Sequence, residues 1–125
     1  MRYFISGHGW LTQEQFNEYY VPLLERILNG DSDPWFVVGD FKGVDIMAQQ
    51  YLLDKGLRDK VIVFHMFERP RNLASPDMNT IGGFKSDDAR DAAMTANSDF
   101  DVAYTFRENS GTGRNIKRRH ERSLD

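Results

Sequence analysis

In residues Phe36-Val37-Val38-Gly39-Asp40-Phe41-Lys42-Gly43-Val44-Asp45, an apolar run too short for a helix stops at a glycine and reopens as an amphipathic segment. That is the pattern of a strand, a tight turn and a helix. In such a turn Gly39 and Gly43 can take backbone angles closed to other residues and let a ligand approach the main chain. The first helical turn also presents unpaired N–H groups that suit an anion. A G-x-x-x-G spacing occurs at ordinary βα turns as well, so this unit constrains the fold before it constrains a function.

The same unit recurs along the chain. Arg2 to Ser6 reads as a short buried strand that stops at Gly7-His8-Gly9. Thr12 and Gln15 have capping-box spacing, and Phe16, Tyr20, Leu23, Leu24 and Ile27 recur at helical intervals, which predicts a helix over 12–28 with a kink at Pro22. Trp35 to Val38 is the second strand. Val44, Met47, Ala48, Tyr51 and Leu52 then line one face of a helix closing near Lys55-Gly56. Lys60 to Phe67 is the third strand, and its near-continuous apolar character predicts burial on both faces, with His65 a packed core residue. Glu68 to Ser86 carries Pro70, Pro76, Gly82 and Gly83 with little periodicity, which fits either a lid over a site or an irregular loop covering a sheet edge. Ser86-Asp87-Asp88 caps a further helix, predicted to pack through Ala89, Ala92, Ala93 and Ala96 while Arg90 and Asp91 point elsewhere. Asn97-Ser98-Asp99 ends it. Phe100 to Phe106 is a fourth strand, followed by Glu108, the turn Ser110-Gly111-Thr112-Gly113, and a basic helix from Arg114 to about Arg122.

The repeated βα order predicts a single domain over residues 1–125 of the α/β class. The expected architecture is a three-layer Rossmann-like fold with a mainly parallel sheet of four or five strands. In open parallel sheets the strand ends share one edge, where ligands bind, so the turns at Gly7, Gly39 and Ser110 should converge on a phosphate-bearing ligand. With a net charge of −3, the chain would need a local basic pocket for phosphate. It has no cysteine, which excludes disulfides, thiolate metal sites and a thiol nucleophile. Three scattered histidines and the helix-capping pair Asp87-Asp88 give no metal-ligand spacing, and no metal or cofactor is expected. No apolar run approaches membrane-spanning length, so the expected setting is cytoplasmic with no membrane partner. Lys117, Arg118, Arg119 and Arg122 form either a nucleic-acid patch or a solvated terminal helix.

Four local patterns carry a resemblance to a known family. They are Ser6-Gly7-His8, Gly39-Asp40-Phe41-Lys42-Gly43-Val44-Asp45, Arg90-Asp91-Ala92-Ala93-Met94 leading to Ser98-Asp99, and Ser110-Gly111-Thr112. In this order and at strand ends they resemble the SLOG superfamily, the Rossmann-like folds related to the DNA-processing protein A and Lonely Guy phosphoribohydrolase families. The likeness is greatest to its small stand-alone bacterial and phage branch. The resemblance implies binding of a nucleotide or nucleotide-derived ligand, with Gly7, His8, Gly39, Asp40, Gly43, Asp45, Ser110, Gly111 and Thr112 around it and Arg90 as charged partner. A guanidinium can make two parallel hydrogen bonds to a phosphate. Arg90 could equally form a surface ion pair with Asp87 or Asp91. Asp45 suits ribose hydroxyls but also complements the helix dipole without a ligand.

Two positions depart from the family pattern. Where Lonely Guy-like hydrolases place a catalytic glutamate, three residues after the threonine, this chain has Asn115, which cannot exchange a proton. Gly9 stands where the small branch tends to carry an arginine after the first turn. The leading expectation is therefore a sensor or sequestering module. The alternative is an N-glycosidase or deoxyribosyltransferase acting on nucleoside 5′-monophosphates, with Asp45, Asp40 or Glu108 as the acid. A single-stranded DNA-associated protein is the third reading, and a homodimer is implied by likeness alone.

Overall fold

Four apolar segments and one polar one pair into a single sheet, β1 (Arg2–Ser6), β2 (Trp35–Val38), β3 (Val61–Met66), β4 (Asn79–Phe84) and β5 (Phe100–Ala103), in the order β4-β3-β2-β1-β5. Every pairing is parallel. The computed structural model describes residues 1–104 and 114–119. The helices are α1 (Gln13–Tyr19), α2 (Val21–Gly30), α3 (Val44–Asp54) and α4 (Asp87–Ala96), with a 3₁₀ turn at Arg58–Lys60. Residues 114–119 are also helical.

Strand alternation sorts the core into two layers. Ile5, Phe36, Val38, Val61, Val63 and Val102 face Phe16, Leu24, Val44, Ala48 and Leu52 of the first three helices and Tyr20 at the α1–α2 junction. Phe4, Val37 and Phe64 face Met94 of α4. The placement of the helices follows from handedness. The chain steps outward from β1 to β4, then returns past β1 to form β5. A right-handed crossover in the reversed direction puts α4 on the opposite face of the sheet. This is the three-layer α/β fold the sequence predicts, with five strands.

Three details differ from expectation. The helix predicted over 12–28 is two helices, because Pro22 lies in the first turn of α2 and has no N–H for the carbonyl of Glu18. The Thr12–Gln15 capping box does form. The stretch predicted as a lid or irregular loop contains β4, an exposed edge strand whose Gly82 gives up its side-chain volume to the His65 ring. His65 itself is buried, as expected. The buried face of α4 is Arg90, Asp91, Met94 and Thr95, with Ala93 alone of the predicted alanines packed against the Phe4, Val37 and Phe64 cluster, because Arg90 is compensated by Asp91 beside it and by Asp40 from the turn after β2. The fourth predicted strand, over 100–106, appears as β5, with positions 105 and 106 outside the described residues.

The connection from β3 to β4, residues 67–78, returns along the α3 side without a helix. Gln49 of α3 holds it, donating to the carbonyl of Asn72 at 3.3 Å and accepting from the N–H of Ala74 at 2.9 Å. Among the aromatic residues, Tyr20 is fully buried and Phe84 stacks on Phe64. Tyr19 stacks on Tyr104, and Trp35 lies under the ammonium of Lys60.

Candidate functional site

The turns after β1 and β2 abut at the C-terminal edge of the sheet. Gly43 has φ +76°, and a Cβ there would meet the carbonyl oxygen of His8 and the Cα of Gly9. The His8 carbonyl accepts from the N–H of Val44 at 3.3 Å, so part of the α3 N-terminus is satisfied within the chain. Gly39 makes room for the carboxylate of Asp45 and the guanidinium of Arg90. These glycines therefore accommodate one another's neighbours and leave no open main-chain approach at those two points. Asp45 also accepts from the N–H of Phe41 at 3.0 Å, which closes the turn.

A cavity of about 240 Å³ opens beside this junction, walled by residues after β1, β2 and β5 and by α4. Its polar lining includes Ser6, Asp45, Arg90, Asp91 and Asn115. Arg90 donates from Nη1 to Asp40 at 2.7 Å and from Nε and Nη2 to Asp91 at 3.2 and 3.0 Å, with Asp87 at 3.3 Å. The ion pairs with Asp87 and Asp91 that the sequence allowed are thus present, the one with Asp91 buried and the one with Asp87 half in solvent, and the buried Asp40 joins them. A phosphate at Arg90 would compete with three carboxylates already in place.

Asp40 is fully buried and also receives the main-chain N–H and the guanidinium of Arg71. Burial alone would raise its pKa, but the hydrogen bonds from Arg71 and Arg90 outweigh that and hold it below the usual carboxylate range. Asp45 goes the other way. Burial pushes its carboxyl up to about 7, against the opposing charge of Arg90 and the Phe41 N–H. Asp91 is raised as well, chiefly by burial, although Arg90 and Asn115 hold it. Sequence reasoning did not single out Arg71, since an arginine in a loop reads as solvated, nor Ser6 and Asp91 as lining residues.

Of the predicted residues, Gly7, His8, Asp45 and Arg90 line the cavity, while Gly39, Asp40 and Gly43 support it from behind. Glu108, Ser110, Gly111 and Thr112 lie outside the described residues. Asn115, the position that departs from the hydrolase pattern, is buried and donates to Asp91 at 3.2 Å, and Arg118 donates to its amide oxygen at 2.7 Å. The basic helix is largely offset within the chain. Arg114 and Arg118 lie 3.7 and 3.8 Å from Asp88, and Arg119 pairs with Asp101 at 2.8 Å. Among the described residues no group of three metal-ligating side chains comes together, and no helix is long and apolar enough to cross a membrane.

No protein-family model matches this chain, and neither a curated protein nor a solved structure matches it.

The raised Asp45 carboxyl makes stability depend on pH. An unfolded aspartate titrates at about 4, so between about pH 4 and about pH 7 the folded chain holds a proton that the unfolded chain does not. Stability from this group is complete below the lower value and is lost as the pH rises through the upper one. Melting temperatures of the protein and of Asp45→Asn should therefore diverge from about pH 4 to about pH 7, the wild type falling relative to the variant, and stay a fixed distance apart above that. A constant difference would mean that Asp45 stays ionised throughout.

Proposed function

We propose that the cavity binds a nucleotide or nucleotide-derived ligand, as a sensor or sequestering module of the kind the likeness to the SLOG superfamily implies. One observation carries this reading. The hydroxyl of Ser6, at the C-terminal end of β1, is buried, lines the cavity and has no hydrogen-bond partner among the described residues. A buried hydroxyl without a partner is costly and uncommon in a native fold, and a ligand hydroxyl or phosphate oxygen would satisfy it. Asp45 and Asp91, next to it in the lining, accept hydrogen bonds and suit the hydroxyls of a sugar.

A second reading has its own support. A carboxyl that titrates near 7 can give or take a proton at physiological pH, which general acid–base cleavage of an N-glycosidic bond requires. Asp45 would be that group, since Asn115 fills the usual carboxylate position and is already engaged with Asp91.

Thermal-shift and calorimetric titration with ribo- and deoxyribonucleosides, their 5′-monophosphates and ADP-ribose tests both readings, if the same mixtures are assayed for free base. Binding should raise the melting temperature. Ser6→Ala should weaken binding roughly tenfold, a little over 1 kcal/mol for one hydrogen bond, while leaving the ligand-free protein as stable or more so. Ser6→Ala that binds as well as wild type would remove the central support. Base release that disappears in Asp45→Asn would move the assignment from a binding module to an enzyme.

A further inference from the structure

We propose that Phe41 is a preformed wall on which the ligand's planar ring stacks at the cavity mouth, so that the ligand class is a nucleoside-type molecule with its base outermost. This rests on the reading of the cavity as a nucleotide-type site and adds which part of the ligand goes where.

Size comes first. At about 240 Å³ the cavity is smaller than the ~300–1,000 Å³ usual for sites that enclose a whole ligand. A sugar fits inside, and an attached ring has to extend to the opening. The lining is graded in the same sense. Ser6, Asp45, Arg90 and Asp91 are all more than nine-tenths buried and polar, whereas Phe41, which lines the same cavity, is 40% exposed. Buried acceptors suit hydroxyls, and an exposed aromatic at the opening suits an apolar π-face.

Phe41 is also held in place. The space a Cβ would occupy at Gly9 is filled by the edge of the Phe41 ring, and the Arg71 guanidinium lies 5.2 Å from the ring centroid. Arg71 is fixed in turn by Asp40 and Asp87. A ring whose rotamer is already fixed loses little freedom when another ring stacks on it, so the contact is returned mostly as affinity. His8, which lines the cavity beyond Gly9, is itself held by stacking on Trp10 with centroids 4.7 Å apart. An occupant that uses both the buried polar lining and the exposed ring is an amphipathic, hydroxylated aromatic.

The test is calorimetric titration of wild type, Phe41→Leu and Phe41→Tyr with the four common ribonucleosides and with ribose 5-phosphate. Wild type should bind at least one nucleoside more tightly than the sugar phosphate. Phe41→Leu, which keeps apolar packing against Gly9, should weaken nucleoside binding roughly tenfold, within the range measured for loss of one base–aromatic stack, and leave ribose 5-phosphate unchanged. Phe41→Tyr should restore the nucleoside affinity. Equal nucleoside binding by wild type and Phe41→Leu, or equal loss for both ligands, overturns the wall while the cavity assignment stands. If wild type binds neither class, both fall.

Discussion

Asp40→Ala is expected to lower the stability of the fold by about 3–5 kcal/mol, the cost of removing one member of a buried ionic cluster and leaving the others uncompensated. Asp40 is completely buried and accepts four hydrogen bonds, three from Arg71 and one from Arg90. The two guanidiniums respond differently to its loss. Arg71 has a side chain 35% exposed and keeps Asp87, so water and that partner recover part of the loss. Arg90 is only 7% exposed and gains little from water, but it keeps Asp91 and Asp87, two carboxylates that still compensate its charge. The lower end of the range is therefore the better figure. Asp40→Asn keeps one acceptor oxygen and should cost less. Urea unfolding, read as a shift in midpoint at unchanged slope, measures this. A loss below about 1 kcal/mol would place the cluster in the class of exposed ion pairs.

Gly43→Ala should be of similar size and for an unrelated reason. At φ +76° and ψ −126° an alanine is strained by roughly 1–3 kcal/mol, and its Cβ would also sit 2.6 Å from the Cα of Gly9. Backbone on both sides cannot yield as a side chain would. The turns after β1 and β2 would have to separate, opening the Val44 to His8 hydrogen bond and the wall of the cavity together. Gly56→Ala is the control, because Gly56 has nearly the same φ, +75°, and open space where the Cβ would go. The Gly43 variant should lose at least about 2 kcal/mol more than the Gly56 variant, the excess reporting the collision together with the unfavourable ψ at Gly43, and the collision part is comparable to overpacking a tight core. It should also lose any ligand-induced thermal shift. Equal losses would reduce the role of Gly43 to its backbone angle.

What could be read from the sequence depended on how locally each element is determined. β3 was legible because Val61, Val63 and Phe64 are buried on both faces of the sheet and leave an unbroken apolar run. β4 was not, since Asn79-Thr80-Ile81-Gly82-Gly83-Phe84 is exposed along nearly its whole length and joins the sheet through its backbone, a pairing that leaves no side-chain signature. The turns after β1 and β2 were placed correctly, but their glycines proved to clear space for Asp45, Arg90 and the neighbouring turn, which only coordinates can tell. Arg90 and Asp91 looked like the polar face of a small-residue helix, and their burial depends on Asp40, fifty positions earlier. Arg71 gave no signal, since the aspartates that it neutralises, Asp40 and Asp87, are remote from it in sequence. Ser6 offered a faint one, as the polar residue that closes an apolar strand where parallel sheets present their ligand edge.

The position of β1 between β2 and β5 has a consequence for motion. Residues 6–9 and 114–115 wall the same cavity although nearly the whole chain separates them in sequence, and Asp99 binds the main chain of Arg2 at the far end of the same strand pair. A molecule lodged there would act as a clasp between early and late segments. Its grip would register as slowed amide exchange in β1 and β5.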